Sequence, residues 1–327
     1  MAPSLVDTFR TLASFSPART SLRGAPWKDY VDWAIAQGLG PLAAYNLEYR
    51  LGGGGGAPEW ARDRLLSVYQ GSLNDNVMKL VNFKRAVDEL EGRRVVLLGA
   101  ASYAEALYPH VAFRPVLDLD LLLPATDLDP FVGFLGKAEF KLAASHPRLR
   151  ILSDGRTQIT LHGGLLGPGF ESEDAGLLER ALPLRAFGPS FFRLAAEDAL
   201  LASILEQAHA GYSIPTITFV DLRELLLGAP SMQGAYSRPL DLDRVRERAA
   251  RWRLHRAVYA STRIVAGLFP ETAPIVESLT QDLRPATRAL LDGLVVAPLA
   301  QLGRMHETRG AERLRQLLTG GRPPGSQ

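Results

Sequence analysis

Between residues 95 and 123 a short apolar run stops at a glycine, a helix-like segment follows, and a second apolar run carries two aspartates. Val95-Val96-Leu97-Leu98 reads as a buried strand ending at Gly99, and Ala100 to Tyr108 reads as a helix. Arg114-Pro115-Val116 then leads into Leu117-Asp118-Leu119-Asp120-Leu121-Leu122-Leu123, a second strand. Side chains alternate faces along a strand, so Asp118 and Asp120 share one face while Leu117, Leu119 and Leu121 share the other. At a rise of roughly 3.3 Å per residue, the two aspartates lie about 6–7 Å apart. Like charges that close, in so apolar a run, repel each other and lose hydration. A divalent cation between them removes both costs, and a hard cation such as Mg²⁺ favours carboxylate oxygen.

Asp-Leu-Asp occurs three times, and the other two copies serve as controls. Asp127 and Asp129 precede Pro130 and an apolar helix running to about Ala138; Asp241 and Asp243 precede Arg244-Val245-Arg246. Helix capping and the helix dipole account for both. Only Asp118 and Asp120 sit inside a strand pattern where capping offers nothing, and the bland reading of that pair is an edge strand with a wet face.

Other chemistries fit less well. A dehalogenase-type phosphatase places Thr or Val two residues after its Asp-x-Asp, where this chain has Leu122, and no lysine lies near in sequence. No Asp-Thr/Ser-Gly occurs, which argues against an aspartic protease. The glycine run at 52–56 is followed by Ala-Pro rather than Lys-Ser/Thr, so it reads as a flexible linker and not a phosphate loop. The six histidines show no zinc spacing, and there is no cysteine.

The acidic strand is embedded in a longer pattern. Residues 1–92 read as helical: Trp27 to Arg50 has apolar groups at helical spacing, and Trp60 to Leu90 reads as a long helix. That helix would bury Leu65, Tyr69, Leu73, Val77, Leu80, Val81, Phe83, Val87 and Leu90. Residues 93–187 read as a mixed α/β core, in which Arg148–Leu152 and Thr157–Leu161 flank Asp154-Gly155 as a hairpin. Residues 188–319 return to helix, at 195–210, 218–227, 243–268 and 287–302, and residues 320–327 form a Gly/Pro/Ser-rich disordered tail. The predicted fold class is α+β, a small mixed sheet flanked by two helical regions. The net charge of +2 gives no strong nucleic-acid signal, and no apolar stretch is long enough for a membrane span. With a poor signal-peptide pattern, the chain reads as cytoplasmic.

Strand, glycine, helix and Arg-Pro-x-x-Asp-x-Asp strand together resemble the DNA polymerase β-type nucleotidyltransferases. The chain is most similar to an uncharacterised bacterial nucleotidyltransferase family marked by Leu-Lys-Gly-Ala-Ala, then Tyr-Pro, then Arg-Pro-Met-x-Asp-x-Asp-Leu-Leu. Those segments stand here as Leu97-Leu98-Gly99-Ala100-Ala101, Tyr108-Pro109, and Arg114 to Leu122. The hairpin arm ending at His162, Gln207-Ala208-His209, Phe219-Val220-Asp221-Leu222 and Ala249-Ala250-Arg251-Trp252 resemble further family segments.

The resemblance implies Mg²⁺-dependent transfer of a nucleoside monophosphate from a nucleoside triphosphate to an unidentified acceptor, a small molecule, peptide or protein. Asp118 and Asp120 would hold the metal, Gly99 and Ser102 would contact phosphate, Arg114 would neutralise charge, and Thr160 and His162 would lie on the neighbouring strand. Two departures stand out: the family lysine before Gly99 is Leu98, and the third carboxylate, expected two residues before His162, is Thr160. They support an alternative, a catalytically degenerate relative that binds nucleotide or protein as a regulatory or scaffold module.

Overall fold

The computed structural model describes residues 2–18, 20–52, 54–87, 94–184, 188–212, 214–228, 236 and 238–299. Along the chain these form α1 (Leu5–Leu12), α2 (Trp27–Ala36), α3 (Gly40–Tyr45), α4 (Glu59–Val87), β1 (Val95–Leu97), α5 (Gly99–Ala106), β2 (Leu119–Leu122), α6 (Leu128–Lys137), β3 (Lys141–His146), β4 (Leu149–Ser153), β5 (Gln158–His162), α7 (Glu171–Arg180), β6 (Leu182–Pro183), β7 (Phe191–Arg193), α8 (Ala196–His209), α9 (Ile217–Leu227), α10 (Leu242–Arg251), α11 (His255–Leu268), α12 (Ala273–Thr280) and α13 (Pro285–Leu299). The class is α+β. Two compact units divide it: residues 2–69, 200–228 and 238–299 in one, and the described residues of 70–199 with Tyr236 in the other. No helix among the described residues is long and apolar enough to cross a membrane.

The second unit carries a seven-stranded sheet in the order β3-β4-β5-β2-β1-β7-β6. β2 runs parallel to β5 and antiparallel to β1, and β1 runs parallel to β7. Val95, Val96 and Leu97 are all buried, as a central strand covered on both faces requires. Phe131 and Leu135 of α6 are buried, and that helix packs on β3 and β4. At the open edge, β3 carries Lys141 and a register shift between Leu142 and Ala144, two devices that blunt edge pairing.

Several sequence expectations change here. β7 lies in the stretch read as returning to helix; at three residues it is too short for periodicity to show. The 27–50 run divides at Gly38, whose φ of +73° ends α2, and closes in a π-helical turn at Asn46–Arg50. The 243–268 run divides into α10 and α11 at Arg253, φ +59°. Among the described glycines of the 52–56 run, the chain makes a fixed turn rather than a loose linker. Gly55 O accepts from Leu22 N at 2.7 Å, and a Cβ on Gly56 would sit 3.0 Å from the Arg23 backbone nitrogen. Asp241 caps α10 as expected, accepting from Arg244 N, but Asp127 makes no capping bond and Asp129 is instead held by Arg150. Residues 88–90, 300–302 and 320–327, read as two helix ends and the tail, lie outside the described residues.

The first unit is helical. Phe9 of α1 meets Trp33 of α2 edge-on at 5.4 Å and Phe269 at 5.2 Å, and Arg10 donates to Leu268 O. Gln37, just after α2, accepts from both the backbone N–H and the hydroxyl of Thr216 ahead of α9.

Candidate functional site

The site is built where β1 gives way to α5 beside β2. Leu98 N donates to Asp120 O at 2.9 Å, so the strand–glycine–helix turn is fastened directly to the acidic strand. Gly99 opens α5 with φ +50°, and a Cβ placed on it would meet nothing within 4 Å. The backbone conformation therefore favours glycine, and the space above it is open. Leu98 itself is buried, so the residue before the glycine serves packing.

Only Asp120 lies within β2; Asp118 sits in a bend just before it. Leu119 and Leu121 are buried as alternation requires, but Leu117, expected on that buried face, is 73% exposed because the strand begins after it. Asp118 and Asp120 remain within electrostatic reach. Burial, and then the Asp120 charge, push the Asp118 carboxyl above the ordinary carboxylate value, while a hydrogen bond from its own backbone and the charges of Lys79 and Arg114 oppose the rise.

Asp120 is the register partner of Thr160 on β5, and Leu122 that of His162, so all four side chains share one face. His162 Nε2 lies 2.9 Å from Asp120 Oδ1. With the proton on Nε2, the imidazole fixes one carboxylate oxygen and leaves the other open to a ligand. Both side chains keep access to solvent, at 24% and 37% exposure. Asp154, the nearest other acid on the hairpin, is used up in its own turn, accepting from Arg156 N and Thr157 N.

The loop after His162 is closed by an internal ion pair. Arg148, in the turn just before β4, donates to Gly163 O, Gly167 O and the Asp174 carboxylate, and Asp174 also accepts from Leu165 N and Leu166 N. A Cβ on Gly164 would collide with both Arg148 and Asp174, so this position admits only glycine.

Of the seven residues singled out in sequence, Asp118, Asp120, Gly99, Arg114, Thr160 and His162 gather around the β1–α5 turn and the β2–β5 pair. Ser102 does not join them. It is 2% exposed and buried beside Tyr236, because α5 is enclosed on nearly every side and only Gly99 and Ala100 of its first turn approach the surface. Among the described residues, no three His, Cys, Asp or Glu side chains form a group able to hold a metal by themselves.

Two residues of the site were not visible in the sequence, and both come from α4. Asn76 donates to Val111 O and Arg114 O and accepts from Val116 N, at 2.6, 2.9 and 2.9 Å. Lys79, one turn on, donates to Val116 O at 2.7 Å and Leu117 O at 3.2 Å. The predicted apolar stripe of this helix is correspondingly rotated: Leu65, Leu80 and Phe83 are buried, but Val77 and Val81 face outward and Asn76 takes the inner place. A polar interruption of the apolar stripe was the only signal available.

A family model described as uncharacterised nucleotidyltransferase matches residues 23–270. The chain belongs to this family. A search of curated proteins and a search of solved structures each found no match. The nucleotidyltransferase match takes in the acidic strand and extends through the helices on either side of it, from before α2 to beyond α11.

Proposed function

We propose that the protein transfers a nucleoside monophosphate from a Mg²⁺-bound nucleoside triphosphate to an acceptor hydroxyl or similar nucleophile. The reading is carried by one placement. Two mutually repelling carboxylates stand beside an open strand–glycine–helix turn, in a chain of a nucleotidyltransferase family.

The residues present fit one Mg²⁺ brought in with the triphosphate. This cation is commonly bound through one or two carboxylates plus substrate phosphates, keeping several waters. They do not fit a metal centre complete without substrate. Asp118 and Asp120 would hold the cation, which supplies charge neutralisation and polarises the phosphorus under attack. His162 orients Asp120 by taking one of its oxygens. Gly99 lets phosphate oxygens approach the backbone without a Cβ in the way, and Arg114 adds positive charge on the Asp118 side. In the transfer to a hydroxyl acceptor, a bond from its oxygen to the α-phosphorus forms as the bond from that phosphorus to pyrophosphate breaks, and the hydroxyl proton passes to solvent.

One observation favours a second reading, nucleotide binding without turnover. Thr160 lies directly across from Asp120, where a third carboxylate would stand, and a hydroxyl is a poor substitute at a metal.

Thermal melts and pyrophosphate release, with Mg²⁺ and each of the four common nucleoside triphosphates, separate these readings. A triphosphate at a hundredfold excess over its Kd stabilises the folded state by about 2.7 kcal/mol, a rise of a few degrees in Tm. Wild type should show that rise and Asp118→Asn should not, while the empty variant stays as stable as wild type or gains, since one repelling charge is gone. A rise without pyrophosphate release supports the second reading. No rise with any triphosphate sinks both.

A further inference from the structure

Leu98 leaves the β1–α5 turn without the cation that phosphate binding there calls for. Lys79 of α4 brings a cation to the segment just before Asp118. Its ammonium hydrogen bonds to Val116 O and Leu117 O, the two residues immediately before Asp118. We infer that Lys79 is the triphosphate-binding cation of this site, contacting the terminal phosphates of the nucleotide. The inference rests on the reading of Asp118 and Asp120 as the metal–triphosphate carboxylates.

Three observations favour this over a plain tether. First, the loop is already tethered. Asn76, one turn earlier on α4, makes three hydrogen bonds to residues 111–116, and Ser72 of the same helix donates to Ala112 O. A further link through a long, flexible side chain adds little position but brings a charge. Second, Lys79 makes no ion pair within the described residues, although its charge acts on Asp118. The carbonyls hold the ammonium beside the carboxylate rather than neutralising it. Two of its three N–H donors are spent on them, and the third remains for an anion. Third, the chain has 5 lysines against 32 arginines, and the ion pairs seen in both units use arginine, as in Arg148–Asp174, Arg180–Asp198 and Arg62–Glu48. A compact ammonium suits a phosphate contact made as a point charge.

The test uses the full-length chain as wild type, Lys79→Met and Lys79→Arg. Affinity for Mg²⁺-bound triphosphates and for the matching monophosphates is measured by titration, with the Tm of each empty protein alongside. Lys79→Met should lose at least about tenfold in triphosphate affinity, while monophosphate affinity changes by no more than about twofold. Lys79→Arg, which keeps the charge in a bulkier group, should restore part of the triphosphate preference. If wild type binds triphosphate and Lys79→Met binds it equally well, with or without a lowered Tm, Lys79 is a tether and the inference is wrong while the site stands. If wild type binds no triphosphate, the reading of the Asp pair fails and takes the inference with it. Should Lys79→Met prove too unstable to titrate, Lys79→Gln replaces it, keeping hydrogen bonds to the carbonyls while removing the charge.

Discussion

Asp120 and Thr160 lie side by side as register partners on parallel strands, and His162, two residues beyond Thr160, holds the Asp120 carboxylate at 2.9 Å. An acid at position 160 would therefore stand next to Asp120 on the same face. Thr160→Asp should lower the Tm of the metal-free protein, by an amount equivalent to about 1–3 kcal/mol, because a third negative charge enters a half-buried cluster. Mg²⁺ should restore that loss, and pyrophosphate release with Mg²⁺–triphosphate should rise by about tenfold or more. Unchanged stability without metal and unchanged release with it would show that position 160 does not feel the Asp pair.

Gly99→Ala isolates backbone strain from crowding. The residue has φ +50°, and its Cβ would meet no neighbour, so the empty protein should lose only about 1–2 kcal/mol in a denaturant melt. Triphosphate affinity should fall by more than that loss accounts for, because the methyl occupies the space a phosphate would enter. Equal affinity of variant and wild type would place the nucleotide elsewhere.

Asn76→Ala removes three hydrogen bonds from the loop that delivers Arg114 and Asp118. Part-buried backbone groups then lose their partner, and the denaturation midpoint should fall by the equivalent of about 2–4 kcal/mol. The defect should extend to ligand binding although Asn76 lies 42 residues before Asp118 in sequence. A variant as stable as wild type would mean that water replaces the amide at no cost.

Glu224 offers a pH-dependent test in the helical unit. Burial raises its carboxyl to about 7 from an ordinary 4.5, with Arg223 opposing the rise and Glu271 and Asp221 adding to it. Between those two values the folded chain holds a proton that the unfolded chain has released. The stability this group contributes is therefore full below about pH 4.5, declines as pH rises, and is gone above about pH 7. Glu224→Gln does not titrate, so between pH 5 and pH 8 it should lose about 2–3 kcal/mol less stability than wild type. Parallel profiles for the two proteins would rule out a buried neutral Glu224.

What could be read in the sequence was what depends on near neighbours. The β1 run, the glycine that ends it, the alternation around Asp120 and the Asp154-Gly155 hairpin are each set by residues within a few positions, and the structure has them. Leu117-Asp118 continues the alternation two residues beyond the start of the strand, and the backbone does not follow it. β3 has no apolar alternation in its sequence, because both of its faces are largely exposed at the sheet edge. The burial of Ser102 has no sequence signature, because a short helix of small residues gives no sign of being enclosed on nearly every side. Asn76 and Lys79 act across 35 to 40 residues, through backbone carbonyls and an N–H that carry no side-chain signature.

The parallel pairing of β2 with β5 also sets when the site can come into being. Parallel neighbours cannot close through a tight turn, and here the crossover contains α6, β3 and β4 before β5 returns beside β2. Asp120 thus emerges during synthesis well before the histidine that orients it. A nascent chain released short of His162 would display both aspartates yet lack the strand that completes their surroundings. A nucleotide recognising the finished arrangement would act on the mature chain alone, slowing its unfolding without hastening its first folding steps.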